Sequence, residues 1–441
     1  MSVTLDTIVS LAKRRGFVFP GSEIYGGLAG TFDYGPHGVA LKKNIENLWW
    51  RMFVETRDDM YGIDAAILMN PRAWEASGHV SGFSDPLVEC SNCKKRFRAD
   101  HLEAADVCPS CGKQGTLGDA RQFNMMFKTS AGAAEDESAT VYLRPETAGG
   151  MFVNFKNIID AYHPKLPFGL GQIGKAFRNE IAPREFIFRV RELEQMEVEY
   201  FVHPSGWQEA FEAWRLGMHE FAKALGLPVE GLHELEVEAA DRAHYSERTI
   251  DFEFDYPFGR KELWGLAYRT DFDLMAHGDA SGQKLDYLDE ATGEKFVPHV
   301  IEPSFGVGRT MLAVLASAYR VDELGGETRT YLALAPALAP VKAMVSPLLK
   351  NKPELVEKAR QIRRELQKIH PAIAWDDNGN IGKRYRRQDE IGTPFCITVD
   401  FDTLGENPEL LDTVTLRHRD TGEQERVTIA EAAERIRSAI S

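Results

Sequence analysis

Three groups of charged residues in this sequence have the types and spacing that phosphate chemistry requires. The first joins residues 177–180 (FRNE), through a polar loop at Pro183, to a strand that carries Glu197 and Glu199. In a hairpin, residues two positions apart point to the same face, so Arg178 and Glu180 are expected to act together. An arginine held this way can bind a phosphate through two hydrogen bonds, and a carboxylate can accept from an amino group or hold a metal ion. A surface ladder of ion pairs on an antiparallel sheet would give the same pattern.

The other two groups each precede a predicted helix. Residues 301–309 (IEPSFGVGR) predict a strand, a glycine turn and the start of a helix, with Arg309 near the N-terminus of that helix. Helix N-termini and glycine backbone favour bound phosphate, although an ordinary strand-to-helix turn has the same composition. Residues 142–148 (YLRPETA) place a charged pair before a helix, which by itself is also consistent with a capping motif.

Hydrophobic periodicity predicts the elements that must position these groups. Between residues 195 and 200 the polar residues Gln195, Glu197 and Glu199 alternate with Met196, Val198 and Tyr200, which indicates a strand with one acidic face. Helices are predicted after Pro36 and after Pro204, with apolar residues at helical spacing at Leu41, Ile45, Leu48 and Met52 and at Phe211, Trp214, Met218, Phe221 and Leu225. From residue 327 to 441, strands alternate with helices, which predicts a small α/β domain with a partly parallel sheet. The polar, glycine-containing stretch 322–327 is predicted to be the linker before it.

Composition narrows the class of protein. The chain has 441 residues, of which 43% are hydrophobic and 27% charged, and this is typical of a soluble protein with two or three domains. Its formal charge of -15 excludes a globally basic protein that coats nucleic acid, so any polyanion site must be a local patch. No apolar run approaches the roughly 18 residues of a spanning helix. The first residues do not resemble a secretory signal, and we expect a cytoplasmic protein.

Four of the five cysteines form two C-x-x-C pairs. Cys90 and Cys93 are separated from Cys108 and Cys111 by fourteen residues, which is zinc-ribbon spacing. Four thiolates leave no open coordination position, so we expect a structural Zn²⁺ ion. Disulfides or free thiols are the alternative.

Residues 379–387 (GNIGKRYRR) contain four cations around a tyrosine. On an acidic protein this patch predicts a platform for phosphates and bases, whereas a solvated helix face is the simpler alternative. The five residues concerned are Lys383, Arg384, Tyr385, Arg386 and Arg387.

The three charged groups together resemble the signature motifs of class II aminoacyl-tRNA synthetases. The chain is similar, more closely, to glycyl-tRNA synthetases of the homodimeric type, and the resemblance extends in order over almost the whole sequence. It rests on residues 22–27 (SEIYGG), 33–36 (DYGP), 123–128 (FNMMFK), 144–147 (RPET), 194–197 (EQME) and 269–273 (RTDFD).

This resemblance implies an α+β catalytic domain with a mixed, mainly antiparallel sheet at residues 1–325. It would include a zinc-ribbon-like insert at 88–118 and a helical insert at 203–250, and an α/β anticodon-binding domain would follow at 327–441. The implied reaction is the ATP-dependent charging of tRNA(Gly) with glycine, in two steps and without a covalent enzyme intermediate. A homodimer is implied, with the helix from Leu41 to Met52 as its interface.

The resemblance also implies roles for individual residues. Arg178 and Arg309 would be the catalytic arginines, at the α- and γ-phosphates of ATP. Glu262 is the best candidate for binding Mg²⁺ and Glu302 a less certain one. The implied ATP-binding set is Arg178, Asn179, Glu180, Phe188, Arg189, Val190, Arg191, Glu262, Leu263, Gly306, Val307, Gly308 and Arg309. The implied glycine-binding set is Arg98, Glu146, Leu193, Glu194, Gln195, Met196, Glu197, Arg269, Glu302, Pro303, Ser304, Phe305 and Gly306.

Two other functions fit parts of the sequence. A synthetase-like binding protein that charges no tRNA would be expected to lack the phosphate-binding arginines, and here Arg178 and Arg309 are both present. A synthetase of the same subclass for a larger amino acid would not suit a pocket crowded by Glu146, Glu197 and Glu302. Rejection by overlap also explains why glycine needs no editing domain.

Overall fold

The computed structural model describes residues 3–102, 104, 106–132 and 139–440. In this part of the chain the α-helices are α1 (Leu5–Arg14), α2 (Pro36–Trp50), α3 (Pro71–Ala76), α4 (His79–Gly82), α5 (Ala148–Tyr162), α6 (Trp207–Ala224), α7 (Phe272–Ser281), α8 (Val307–Ala318), α9 (Pro353–Leu366), α10 (Ile381–Ile391) and α11 (Ile429–Ile440). None of these helices combines the length and the apolar character that a membrane span needs.

The strands are grouped into one large sheet, one C-terminal sheet and several small ones. They are β1 (Val18–Pro20), β2 (Phe32–Tyr34), β3 (Met60–Gly62), β4 (Ser84–Glu89), β5 (Arg96–Arg98), β6 (Arg121–Asn124), β7 (Lys128–Ser130), β8 (Thr140–Tyr142), β9 (Phe168–Phe177), β10 (Glu192–Val202), β11 (Leu232–Glu236), β12 (Arg248–Tyr256), β13 (Gly259–Thr270), β14 (Tyr287–Leu288), β15 (Lys295–Phe296), β16 (His299–Gly306), β17 (Tyr319–Leu324), β18 (Glu327–Leu332), β19 (Ala343–Pro347), β20 (Ile373–Trp375), β21 (Phe395–Val399), β22 (Thr413–His418) and β23 (Gln424–Thr428).

The large sheet has seven strands in the order β11-β12-β13-β16-β10-β9-β3. Its pairs are antiparallel except β3 and β9, which run parallel. Apolar side chains of α2, α6 and α8 pack in the core on one face, and those of α5 and α7 in a smaller core on the other. The predicted α+β domain with a mixed, mainly antiparallel sheet is confirmed.

Strand β10 shows why the alternating sequence matters. Met196 and Val198 are fully buried in the core that α2, α6 and α8 share, whereas Glu197 and Glu199 point to the opposite face. That acidic face is not a surface ladder, because Glu197 is 2% exposed and Glu199 0%. The period of the strand is confirmed, and the solvent-facing alternative is wrong.

Both helices predicted from periodicity are present, as α2 and α6. Leu41 and Ile45 of α2 are fully buried within their own chain, so the apolar stripe of this helix packs in the core, and a dimer interface at this helix stays a prediction. The segment 203–250, expected as a helical insert, contains α6 and also β11, the edge strand of the large sheet.

The C-terminal sheet has the order β20-β19-β21-β22-β23. Strand β19 runs parallel to β20 and β21, and the other two pairs are antiparallel, so the predicted partly parallel α/β architecture is confirmed. The stretch 322–327 is not an extended linker, because it forms the end of the β17–β18 hairpin. Gly325 and Gly326 have φ values of 63° and 79°, which a two-residue turn of this kind requires.

Candidate active site

A cavity of about 380 Å³ lies over the acidic face of the large sheet. Its walls come from β2, β9, β10, β12, β13 and β16, from the start of α8, from the loops before α5 and after β9, and from the loop between β11 and β12. The predicted site residues that line it are Glu146, Arg178, Glu180, Phe188, Arg189, Val190, Leu193, Glu194, Gln195, Glu197, Glu262, Leu263, Glu302, Ser304, Gly306, Gly308 and Arg309. The topology therefore brings together segments that are more than a hundred residues apart in sequence.

One end of the cavity is basic, with Arg178, Arg189 and Arg309 in its wall. The sequence predicts Arg178 on the same strand face as Glu180, but Arg178 lies in the loop just after β9. Its Nε donates to the carbonyl of Pro145 at 3.0 Å. Nη1 of Arg189 is buried without a hydrogen-bond partner among the described residues. Three guanidinium groups on one cavity can neutralise a polyphosphate.

Arg309 is oriented by two neighbours at this basic end. Its Nη1 lies 3.0 Å from Oε2 of Glu262, and its guanidinium carbon lies 4.5 Å from the centre of the Phe188 ring. Burial alone would raise the pKa of Glu262, but Arg309, Arg178 and Arg189 together bring it below the ordinary value. Glu262 is thus an ionised carboxylate facing the cavity, which is the kind of ligand that Mg²⁺ prefers.

Two further acids line the basic end. Burial raises the pKa of Glu180, whose Oε2 is buried without a partner in the described part of the chain. Burial, followed by the charges of Glu262 and Glu253, raises the pKa of Asp251 to about 7. Sequence reasoning missed Asp251, although the alternation of acids with apolar residues along β12 was visible and marks it as one face of a strand.

The opposite end of the cavity is acidic and holds Glu146, Glu197 and Glu302. Burial opposes ionisation of Glu146, but the charges of His79, Arg269 and Arg178 lower its pKa to about 2. Nε2 of His79 lies 3.4 Å from the Glu146 carboxylate. Glu146 is therefore a permanent negative charge beside the cavity.

Glu197 is held by a set of hydrogen bonds. Ser304 Oγ donates to its Oε1 at 2.6 Å and Gln195 Nε2 to the same oxygen at 3.1 Å, while the Thr147 hydroxyl donates to Oε2. Burial and then the charge of Glu146 raise the pKa of Glu197, whereas the Ser304 and Thr147 hydrogen bonds oppose that rise. These donors stabilise the charged form of a carboxylate that burial disfavours.

Glu302 is paired with a buried arginine behind the cavity. Arg269 donates from Nη1 to Glu302 at 2.8 Å, and from Nε and Nη2 to Asp273, both at 2.8 Å. The Tyr245 ring stacks 3.7 Å from the Arg269 guanidinium carbon. Arg269 does not line the cavity, because its donors are engaged with two carboxylates of the protein.

Glu199 is the unexpected member of the acidic face. It is fully buried, neither of its oxygens has a hydrogen-bond partner in the described residues, and one oxygen lies within 4.8 Å of oxygens of Glu197 and Glu302. Burial, then the charge of Glu302, raises the pKa of Glu199 well above the ordinary value. The sequence placed Glu199 on the acidic face but gave no sign that it would be so completely enclosed.

The remaining predicted residues do not line the cavity: Arg98, Asn179, Arg191, Met196, Arg269, Pro303, Phe305 and Val307. Met196 and Phe305 point to the other face of their strands, as the period of two requires. Arg98 pairs with Asp85 at 2.6 Å and with Asp100. Arg191 donates to the carbonyls of Glu180 and Ala29, so it holds the loop in place.

Comparisons with known proteins agree with this arrangement. Residues 127–318 match a family described as the tRNA synthetase class II core domain (G, H, P, S and T), and residues 342–439 match the anticodon binding domain. A glycine–tRNA ligase of Caldanaerobacter subterraneus is 50% identical, with 97% of each chain covered. Those of Lachnospira eligens and Clostridium acetobutylicum are each 50% identical, covering 98% and 97% of this chain and the same shares of their own.

The chain belongs to the glycine–tRNA ligase family. The identity holds over nearly the whole length, so it includes both the cavity and the C-terminal sheet.

Four of the five cysteines of this family member, Cys90, Cys93, Cys108 and Cys111, form a compact cluster beside β4–β6. Each pair closes a turn in the same way: the N–H of Cys90 donates to the Lys95 carbonyl at 2.9 Å, and that of Cys108 to the Lys113 carbonyl at 3.0 Å. The Sγ atoms of Cys90 and Cys111 are 3.8 Å apart, and those of Cys93 and Cys108 3.7 Å. A tetrahedral ZnS₄ site with Zn–S bonds of about 2.3 Å has edges of about 3.8 Å, so the donor set fits zinc.

The basic patch on α10 differs from its prediction. Arg384 is 2% exposed and donates to Ser346 Oγ at 2.6 Å and to the Gly379 carbonyl at 2.7 Å. Tyr385 is 8% exposed, and its hydroxyl bonds Thr398 Oγ1 at 2.7 Å. Both side chains anchor the helix to the sheet, so the predicted stacking platform around Tyr385 is wrong.

The other three cations of the patch remain near the surface. Arg386 pairs with Glu327 at 3.2 Å, and Arg387 with Asp376 at 2.8 Å. Lys383 is exposed at the start of α10. Among the cations of this patch, Lys383 is therefore the best placed to reach a ligand.

Proposed function

We propose that this chain is a glycine–tRNA ligase. Glycine carboxylate attacks the α-phosphate of ATP, the bond to the β-phosphate breaks, and pyrophosphate leaves. A hydroxyl of the 3′-terminal ribose of tRNA(Gly) then takes the glycyl group and AMP leaves. The observation that carries the proposal is a single cavity that is lined both by Arg178, Arg189 and Arg309 and by Glu146, Glu197 and Glu302.

The basic end suits ATP. Arg178 would bind the α-phosphate and Arg309 the γ-phosphate, and the Arg189 Nη1 that lacks a partner among the described residues is a third donor nearby. Glu180 and the buried ring of Phe188 would contact the adenine end. Mg²⁺ would neutralise phosphate charge when bound, with Glu262 as its ligand; Glu302 is the weaker candidate, because Arg269 already occupies one of its oxygens.

The acidic end suits the ammonium group of glycine. Glu146, Glu197 and Glu302 surround one region and Ser304 lies beside them, so the ammonium group would find acceptors in several directions. A side chain on the α-carbon would have to displace these charged groups. Arg269 would contribute indirectly, by holding Glu302, rather than by binding the substrate carboxylate.

Catalysis would consist of positioning and charge neutralisation. The arginines would stabilise the charge that develops on the α-phosphate, and the carboxylates would hold glycine by its ammonium group so that its carboxylate faces the phosphate. The proposal requires no nucleophile of the protein.

The other features support a tRNA ligase in more general terms. The C-terminal domain would bind the anticodon of tRNA(Gly), and the four thiolates would hold a structural Zn²⁺. A homodimer is supported by the exposed apolar loop with Ile24 at 89%, Tyr25 at 87% and Leu28 at 60% exposure. The enzyme would act in the cytoplasm, where tRNA charging takes place.

The test is amino-acid-dependent ATP–pyrophosphate exchange by the purified chain. We expect exchange with glycine and none with alanine, serine or histidine. Arg178→Ala should abolish it, whereas Arg260→Ala, which removes an exposed guanidinium outside the cavity, should not. Equal exchange with alanine, or full activity of Arg178→Ala, would refute the proposal.

A further inference from the structure

Thr147 stands at the N-cap of α5 but does not cap the helix. A threonine at this position normally accepts a hydrogen bond from the second or third backbone N–H of the helix. Here the side chain makes no such bond, and the residue is 0% exposed. The capping motif that the sequence allowed at residues 142–148 is therefore not formed by Thr147, whose hydroxyl has a different partner.

The role of the hydroxyl is visible in its partner. Thr147 Oγ1 donates to Glu197 Oε2, the oxygen of Glu197 that Ser304 and Gln195 leave free. The carboxylate is thus fixed from both sides by donors on three elements: the start of α5, β10 and β16. A carboxylate bound through both oxygens cannot rotate about its last bond without breaking a buried hydrogen bond.

The position of Thr147 in the chain adds to this role. Its predecessor, Glu146, is one of the carboxylates that line the cavity, and the Thr147 hydroxyl holds a second one, Glu197. One dipeptide therefore carries one acceptor and holds a second one on β10, and so it influences the distance between them. A ligand with several N–H donors needs its acceptors at fixed separations, so this distance determines how well an ammonium group is bound.

We propose that Thr147 is a positioning residue for the amino-acid substrate. Its hydroxyl orients the Glu197 carboxylate toward the ammonium group and keeps it in register with Glu146. The proposal rests on the function proposed above. It assigns Thr147 no contact with the substrate, and its effect passes through Glu197.

Two substitutions separate the hydroxyl from the shape of the side chain. Thr147→Val keeps the branched shape and removes the donor, and Thr147→Ser keeps the donor and removes the methyl group. In glycine-dependent exchange, we expect Thr147→Val to raise the KM for glycine about tenfold or more, because a hydrogen bond to a buried charged group is lost. The KM for ATP should change less than about twofold, and Thr147→Ser should resemble the unsubstituted chain.

The outcomes distinguish this role from simple packing. A residue that only supports the fold would lower the melting temperature of Thr147→Val and leave the KM for glycine unchanged, which would overturn the proposal. Equal loss in Thr147→Ser and Thr147→Val would also overturn it, because retaining the donor in Thr147→Ser would then not be enough to preserve the KM for glycine. If Thr147→Val does not fold, Thr147→Ala and Thr147→Ser make the same comparison. Absence of glycine-dependent exchange in the unsubstituted chain would refute the proposed function itself, whereas a normal unsubstituted chain with an insensitive Thr147→Val would refute only the role of Thr147.

Discussion

Gly308→Ala should damage ATP binding through a contact that involves no catalytic side chain. Gly308 is the second residue of α8 and lines the cavity. A Cβ at this position would lie 2.7 Å from the carbonyl oxygen of Ile187. Ile187 immediately precedes Phe188 and Arg189, so any movement that relieves the overlap displaces two residues of the basic end.

The magnitude follows from two opposed effects. Relief to an ordinary contact of 3.4 Å requires a displacement of about 0.7 Å. Alanine is favoured over glycine in a helix by about 1 kcal/mol, whereas overpacking costs about 1–3 kcal/mol, so the net loss of stability should be about 0–2 kcal/mol. Misplacement by about 1 Å can cost about a hundredfold in rate, so we expect kcat/KM for ATP to fall about ten- to a hundredfold.

The assay compares Gly308→Ala with Gly382→Ala. Gly382 is the second residue of α10, and a Cβ there would lie 3.8 Å from its nearest neighbour, Asn380 Oδ1, so this control adds the same helix propensity without a clash. Exchange kinetics should be normal for Gly382→Ala, and in Gly308→Ala the KM for ATP should rise more than that for glycine. Unchanged kinetics in Gly308→Ala, with an unchanged melting temperature, would show that the loop at Ile187 moves freely and would refute the reasoning.

Four further predictions concern other parts of the chain. Glu199 has a raised pKa in the folded state, so unfolding releases its proton at any pH above the ordinary glutamate pKa, and the protein loses stability as the pH rises toward the raised value. The melting temperature of Glu199→Gln should therefore rise relative to that of the unsubstituted chain as the pH increases. A difference in melting temperature that does not depend on pH would contradict this. Metal analysis should find about one zinc ion per unsubstituted chain. Cys93→Ser should bind less zinc and have a lower melting temperature. Full zinc retention in Cys93→Ser would contradict the four-thiolate site. Lys383→Ala should weaken tRNA charging and leave ATP–pyrophosphate exchange unchanged. Arg384→Ala should destabilise the C-terminal domain by about 3 kcal/mol or more in denaturant unfolding, because it leaves buried acceptors unpaired. An Arg384→Ala variant of unchanged stability would show that the Arg384 hydrogen bonds are dispensable.

Sequence periodicity predicted local structure well where the pattern reflects a repeating geometry. The alternation along β10, the stripes of α2 and α6, and the spacing of the cysteines each follow from a fixed repeat of the backbone or of metal coordination. The burial of a face depends on what packs against it. The acidic face of β10 looks solvent-exposed in sequence because nothing local shows that a cavity and the start of α5 cover it.

Three of the wrong site predictions share a physical cause. Arg269, Arg384 and Tyr385 are polar residues that the sequence places at ligand contacts, but each is buried and hydrogen-bonded to the protein. A buried arginine requires acceptors from distant segments, such as Glu302 for Arg269 or Ser346 for Arg384, and no local pattern records them. The linker prediction at 322–327 fails for a different reason, because a two-glycine hairpin turn and a linker have the same composition.

The distribution of charge in the cavity gives the two substrates one orientation. At the acidic end, Glu146, Glu197 and Glu302 face the cavity. The pKa of Glu146 is lowered to about 2, whereas burial raises the pKa of Glu302 to about 8, so an ammonium group bound there would favour the ionised form of Glu302. At the basic end, Arg178, Arg189 and Arg309 face the cavity, and Glu262 is paired with Arg309. Arg178 belongs to both regions: it lines the basic end, it donates to the carbonyl next to Glu146, and its charge helps to lower the pKa of Glu146. A glycine held by its ammonium group would thus present its carboxylate toward Arg178, where the α-phosphate is expected, and the reverse orientation would place like charges together at both ends.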